Sequence, residues 1–152
     1  MNDLALPLRG NYDPNNIRIY FMDTGLLVAC LDEESSDDLR KNKNFNTYKG
    51  ALYENVVADM LRKSGYDLYF YKKEDGTQKI GFFVRDLNSL IPIDVKAKDG
   101  KPQTMVGLIN NPQIQDINYG IKLAEKNIGF KDNIYTFPYF LTFLLKRYLR
   151  EK

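Results

Sequence analysis

The residues of this sequence best suited to chemistry are two carboxylates and a lysine. Two of the three stand together in Ile91-Pro92-Ile93-Asp94-Val95-Lys96-Ala97. In a strand, alternate side chains face opposite ways, so Ile91, Ile93, Val95 and Ala97 share one layer of core while Asp94 and Lys96 project from the other face, about 7 Å apart. A carboxylate and an amine so placed can hold a divalent metal and stabilise or deprotonate an attacking water. The triplet alone says little. With about a quarter of residues charged, an acid-x-Lys triplet is expected roughly once in a chain of this length. Asp99-Gly100-Lys101 is a second instance, and its glycine and Pro102 mark it as a turn. Asp94 and Lys96 differ in lying on an apolar strand and in having a distant partner, Glu54. The helical neighbours of Glu54 at three, four and seven positions are Gly50, Ala51, Val57, Ala58 and Leu61, all apolar. That puts the carboxylate on or beside a buried face. An unpaired buried charge is costly, so Lys96 or a metal is expected to hold it. The plainer alternatives are a helix-edge glutamate that reaches solvent and an ordinary strand ion pair.

Composition narrows the chemistry further. Of 152 residues, 43% are hydrophobic and 28% charged, the balance of one globular domain with a substantial core. There is no histidine, which removes Ser-His-Asp and Cys-His catalysis and His-rich zinc sites. The single cysteine, Cys30, lies in the apolar run Leu26-Leu27-Val28-Ala29-Cys30-Leu31 and reads as a small buried hydrophobe. A reducing, cytoplasmic setting is the expectation. Gly100-Lys101 is followed by Pro102 where a phosphate-binding loop needs Ser or Thr, so no ATP site of that kind is expected. The first residues lack the basic flank and apolar run of a secretory signal, and no stretch approaches the roughly 20 apolar residues of a membrane span. The net charge of +2 is too small to argue for nucleic acid by itself. Locally, Lys72, Lys73, Lys79, Lys98 and Lys101 gather at strand ends near the candidate site. With Tyr69 and Tyr71 they suit a nucleic-acid groove, or equally a solvated sheet edge guarded by lysines. Lys146, Arg147, Arg150 and Lys152 make the C-terminus basic, which the helix dipole favours with or without a phosphate partner.

The elements that must position these residues follow from periodicity. Residues 1–16 read as an irregular segment, broken by Pro7, Gly10 and Pro14. Residues 17–21 read as a short strand, with Asp23 or Thr24 capping a helix through Leu31. The charged stretch 32–49 reads as a solvated loop with one helical turn near residues 37–41. Residues 50–64 form the clearest helix, with Tyr53, Val57, Met60 and Leu61 on one face and Asn55, Asp59 and Arg62 on another. Strands are expected at 67–72, 79–85 and 90–97, joined by turns at 74–77 and 86–89. Residues 103–118 are ambiguous. Strands at 119–124 and 133–137 come next, then a helix opened by Pro138 with Leu141, Leu144, Leu145 and Tyr148 on its buried face. Short turns predict antiparallel neighbours for the first three strands, and the longer crossover admits a parallel fourth. Residues 17–152 are thus expected to form one domain.

Three segments resemble a known family. They are Arg18-Ile19-Tyr20-Phe21-Met22-Asp23-Thr24-Gly25-Leu26-Leu27, Gly50-Ala51-Leu52-Tyr53-Glu54-Asn55 and Ile91-Pro92-Ile93-Asp94-Val95-Lys96-Ala97, supported by the later Tyr119-Gly120-Ile121-Lys122 and Pro138-Tyr139. They look like the C-terminal domain of unknown function carried by many bacterial and archaeal AAA-type ATPases. The resemblance implies a restriction-endonuclease-like α/β fold, a central mixed sheet flanked by helices in the order helix, three strands, helix, strand. It implies a metal site built from a helix glutamate, an acid on the second core strand and an acid-x-Lys on the third. Glu54 matches the first, and Asp94 with Lys96 the last. Gly81 of Lys79-Ile80-Gly81-Phe82-Phe83-Val84 stands where the second-strand acid belongs and supplies no ligand oxygen. Asp94 and Glu54 would then have to hold Mg²⁺ or Mn²⁺ largely alone. The ATPase and winged-helix segment that usually precede the domain would end where this chain begins. Three functions stay open: a non-catalytic nucleic-acid-binding or interaction module, a metal-dependent DNA nuclease, and an assembly domain for the ATPase or for self-association. The first is favoured. No membrane partner is expected.

Overall fold

The structure, a computed structural model, describes residues 4–11, 13–43, 45–73, 76–96 and 100–151. Six strands form one mixed sheet: β1 (Tyr69–Lys72), β2 (Lys79–Asp86), β3 (Ser89–Val95), β4 (Gly120–Ala124), β5 (Gly129–Lys131) and β6 (Ile134–Pro138), in spatial order β1-β2-β3-β4-β6-β5. The hairpins β1–β2, β2–β3 and β5–β6 are antiparallel, while β3–β4 and β4–β6 are parallel. The helices are α1 (Thr24–Ala29), α2 (Glu33–Arg40), α3 (Phe45–Lys63), α4 (Gln103–Ile109) and α5 (Leu145–Glu151), with 3-10 turns at Leu8–Asn11 and Tyr139–Leu144. The expected order of helix, three strands, helix and strand runs from α3 to β4, and the fourth strand is parallel as its crossover allowed.

Apolar residues on both sides of the central strands create two cores, as a strand buried on both faces requires. On one face Val57, Ala58 and Leu61 of α3 and Leu145 and Leu149 of α5 meet Phe82, Ile91, Ile93, Ile121 and Leu123. On the other, Leu4 and Leu8 of the N-terminal segment and Met105 and Leu108 of α4 meet Ile80, Phe83, Leu90 and Ile134. Gly120 lets β4 come this close to α4, because a Cβ there would collide with the Met105 thioether. Between β1 and β2 the register passes from Tyr69↔Phe83 to Tyr71↔Ile80, two steps against three, which is a bulge at Gly81 and Phe82. The bulge puts Phe82 in the α3 core although Ile80, two residues earlier, lies in the α4 core.

Several expectations needed correction. Residues 17–21 run extended but join no strand, because their polar groups are spent on α3, as described below. The stretch 32–49 is mostly helix. Asp32 caps α2 by accepting the Ser35 N–H at 2.7 Å, Glu33 and Glu34 occupy its first turn and Arg40 its last, so charge patterning stabilises a helix that buries nothing. The next helix starts at Phe45, ahead of the expected residue 50. Asp23 does cap α1, through the Gly25 and Leu26 N–H groups, but α1 buries no residue and Cys30, at its end, is exposed rather than buried. After Pro138 the chain first takes a 3-10 turn and only then an α-helix. The change of period turns Leu144 outward, and Leu145 and Leu149 become the buried pair. The ambiguous stretch contains α4, and β5 was not foreseen. Ala97, Lys98 and Asp99, and the Glu74-Asp75 part of the first hairpin turn, lie outside the described residues. Among the described residues no helix is long and apolar enough to cross a membrane.

Candidate functional site

The start of β2, the ends of β3 and β4 and the first half of α3 meet at one end of the sheet, since β2 runs antiparallel to β3 and β4 runs parallel to it. Glu54 projects from α3 there. Its Oε1 accepts hydrogen bonds from Arg18 Nη1 at 2.7 Å and from the Tyr20 hydroxyl at 2.8 Å. The Arg18 and Glu54 side chains are only 19% and 25% exposed. The Arg18 guanidinium also lies 4.5 Å above the Phe70 ring. Burial, more than any neighbouring charge, drives the Tyr20 phenol pKa well up, so its proton stays in place for Glu54. Next to Glu54, Asn55 is buried and fully engaged. Its Oδ1 accepts the Phe21 N–H at 2.8 Å, and its Nδ2 donates to the Phe21 carbonyl and Thr24 Oγ1, both at 3.1 Å. Arginine and tyrosine alternate inward from an extended segment whose Ile17 and Ile19 face outward. A cavity of about 510 Å³ remains between this segment, α3 and the bulged start of β2, with Gly81 on its wall.

Asp94 is built differently. Strand alternation sets Ile93 and Val95 against the α3 core, so Asp94 faces the α4 side, opposite Lys122 in the β3–β4 register. Its Oδ2 lies 2.9 Å from Lys96 Nζ, with side-chain exposures of 13% for Asp94 and 34% for Lys96. Burial raises its pKa, and the charge of Glu54 pushes the same way. Lys96 and Lys122 oppose the shift without cancelling it. Lys122 is buried and donates to the Gly100 carbonyl at 2.8 Å. The Tyr139 hydroxyl donates to the Lys96 carbonyl, and its ring stacks on Tyr53 of α3 at 4.2 Å between centroids.

Lys96 therefore does not hold Glu54. It is committed to Asp94, two residues earlier, from just past the end of β3, and Arg18 holds Glu54. Gly81 is beside Glu54: a Cβ built there would lie 4.0 Å from Glu54 Oε1 and 3.6 Å from the Ile93 carbonyl oxygen, ordinary contacts that leave room for a side chain. An acid at position 81 would thus stand next to the helix glutamate. As they stand, the residues do not fit a divalent ion. Among the described residues no three His, Cys, Asp or Glu side chains group closely enough to hold one, and one oxygen of each carboxylate is already engaged, Glu54 Oε1 by Arg18 and Tyr20 and Asp94 Oδ2 by Lys96.

Lys72 and Lys79 face each other across the β1–β2 ladder, and with Lys73 they are exposed near this end of the sheet. Lys101 is exposed on the far side, close to Lys122. Lys98 lies outside the described residues. At the C-terminus Lys146 donates to the Ser64 carbonyl at 2.7 Å, a helix-closing contact. Sequence reasoning missed Arg18, Tyr20, Asn55, Lys122 and Tyr139. Two signals were available: the polar-apolar alternation of Ile17-Arg18-Ile19-Tyr20-Phe21, and a lone lysine inside the apolar strand Gly120-Ile121-Lys122-Leu123-Ala124.

The family model for a domain of unknown function, DUF4143, matches residues 49–141. The chain belongs to the DUF4143 family. No curated protein and no solved structure matches the chain significantly. The DUF4143 match contains Glu54, Gly81, Asp94, Lys96 and Lys122, while Arg18 and Tyr20 precede it.

Proposed function

We propose that this domain is a non-catalytic nucleic-acid-binding module on a restriction-endonuclease-like scaffold that serves an AAA-type ATPase. The observation that carries the reading is that each carboxylate of the candidate metal site is neutralised by a cation of the chain itself. Arg18 neutralises Glu54, Lys96 neutralises Asp94, and Gly81 occupies the place of a third acid. Such a site keeps its fold without a metal, and the lysines at this end of the sheet favour a polyanion. Plasmid and single-stranded DNA incubated with Mg²⁺ or Mn²⁺ should remain intact with the unmodified protein and with Asp94→Ala. Metal-dependent cleavage by the unmodified protein that Asp94→Ala abolishes would overturn the reading in favour of a nuclease. Cleavage gained by Gly81→Asp alone would support a nuclease ancestry for the scaffold.

A second reading, an assembly surface for the ATPase or for another copy, is favoured by the exposed Ile17, Ile19, Met22 and Leu26. Light scattering on Ile17→Ser/Ile19→Ser and the parent separates it: an oligomer that the substitutions dissolve supports assembly, and a monomeric parent removes self-association.

A further inference from the structure

Two exposed apolar faces flank α3 in the layer that covers its side of the sheet. The first is the N-terminal segment with α1, where Ile17, Ile19, Met22 and Leu26 are exposed. It sits over β1 and β2, since Arg18 covers the Phe70 ring and Tyr20 packs on Phe82. The second is the 3-10 turn Tyr139–Leu144, where Phe140 and Phe143 are 66% and 58% exposed, with Leu144 exposed beside them. Phe140 and Phe143 are one 3-10 turn apart and so share a side. The helix α5 that continues this turn sits over β6, where Tyr148 meets the Tyr135 and Phe137 rings edge-on. From β1 to β6 is four strand spacings, about 19 Å. The two faces of one copy therefore do not meet.

Their charges are opposite. Beside the first face, Asp23, Asp32, Glu33, Glu34, Asp37 and Asp38 fall between Ile19 and Leu39 with no cation among them. Asp32, Glu33 and Glu34 are exposed at the start of α2, a helix that buries nothing of its own. The second face is basic. Arg147 and Arg150 are exposed one and two turns beyond Phe143, and no acid occurs from Ile134 to Arg150. Glu151 offsets part of this charge by pairing with Arg147 at 2.9 Å. Opposite charges across an interface select a partner, and like charges reject one. A two-fold dimer about either face would set acid on acid or base on base. A polyanion would suit the second face and leave the first unmatched. A second copy placed head to tail matches both. We infer that copies of this chain associate head to tail, the Ile17–Leu26 face of one on the Phe140–Leu144 face of the next, with the α2 carboxylates meeting Arg147 and Arg150. The inference rests on the assembly reading above and supplies the surface that the exposed isoleucines would cover.

Sedimentation velocity on the full chain and two variants tests it. Ile17→Ser/Ile19→Ser disables the first face and Phe140→Ser/Phe143→Ser the second. All the substituted side chains are exposed, and circular dichroism checks that each variant folds. The parent should form assemblies that grow with concentration, because a heterologous contact repeats until a ring closes or a fibre forms. Each variant alone should be monomeric, its association weakened roughly thirtyfold or more, the effect of losing one interface hot spot. An equal mixture of the two should form a dimer and stop there, since each keeps the face that the other lacks. Raising salt from about 0.1 to about 1 M shortens the screening length from about 10 to about 3 Å and should shift the parent towards monomer. A parent oligomer that Ile17→Ser/Ile19→Ser dissolves but Phe140→Ser/Phe143→Ser leaves intact would overturn the pairing and keep the assembly reading. So would two monomeric variants whose mixture stays monomeric. An assembly indifferent to salt would overturn the charge match that selects this partner. A parent that is monomeric at every concentration would overturn the pairing and self-association together.

Discussion

Glu54 and Asp94 are carboxylates at one end of the same sheet, and they reach neutrality by different routes. Asp94 is paired by Lys96, two residues on and just past the end of its strand. Glu54 is paired by Arg18, 36 positions earlier, in a segment without secondary structure. The local pair costs the chain little additional ordering, because β3 fixes Asp94 and the Lys96 N–H, just past its end, bonds the Leu123 carbonyl at 2.9 Å. The distant pair orders a whole segment, and Asn55 shares that task by binding the backbone of Phe21. The difference implies that the Glu54 side of the site depends on the N-terminal segment staying seated, while the Asp94 side depends only on the sheet.

Asn55→Ala should break this comparison most severely. It leaves the Phe21 N–H and carbonyl without their side-chain partner and opens a small void in α3, at a cost of about 2–3 kcal/mol. Urea unfolding measures it, and limited proteolysis should show earlier cutting among residues 13–22. An unchanged transition with unchanged protection would mean that the clamp contributes nothing. Next in size, a double-mutant cycle on Arg18→Ala and Glu54→Gln should give a coupling of about 1–3 kcal/mol. The matching cycle on Lys96→Ala and Asp94→Asn should give about 1 kcal/mol or less, since Lys96 is one-third exposed. Equal couplings would erase the asymmetry.

The smallest expected effect concerns pH. The folded-state pKa of Asp94 is raised, chiefly by burial. Between the ordinary aspartate value of about 3.9 and the raised one, the folded state therefore holds more protons than the unfolded state, and stability falls as pH rises through that window. Asp94→Asn lacks this titration. Its Tm relative to the parent should rise with pH across the window and then level off, as scanning calorimetry would show. A difference of the opposite sign would mean that Lys96 outweighs desolvation.

The legible parts of the molecule were those in which neighbours in sequence are neighbours in space. The β2–β3 hairpin and the Asp94–Lys96 pair depend on period-two alternation, and α3 on its apolar stripe, so all were readable. Glu54 was correctly suspected of needing a partner, because its helical neighbours are apolar, but its partner could not be named. Nothing in residues 17–21 tells whether an alternating segment pairs with a strand or lies against a helix. Asn55 was assigned to the polar face because helical periodicity treats amides as solvent-seeking, and only its backbone partners justify burying it. The helix α2 was read as a single turn near residues 37–41 because it buries nothing: caps and charges form it, and a search for apolar periodicity cannot see its full length. The strand β5 was invisible because it has only three residues, all exposed.

The N-terminal segment also determines how this domain can be cut. The region with a recognisable family pattern spans residues 49–141, but the unit that closes both cores is larger. Leu4 and Leu8 complete the α4 layer, and Leu145 and Leu149 complete the α3 layer. A fragment trimmed to the pattern would bare apolar patches on both sides of the sheet and leave Glu54 without Arg18 and Tyr20. Recognition and foldability therefore have different borders in this chain. The residues outside the pattern are still needed as lids, and any expressed fragment should include them.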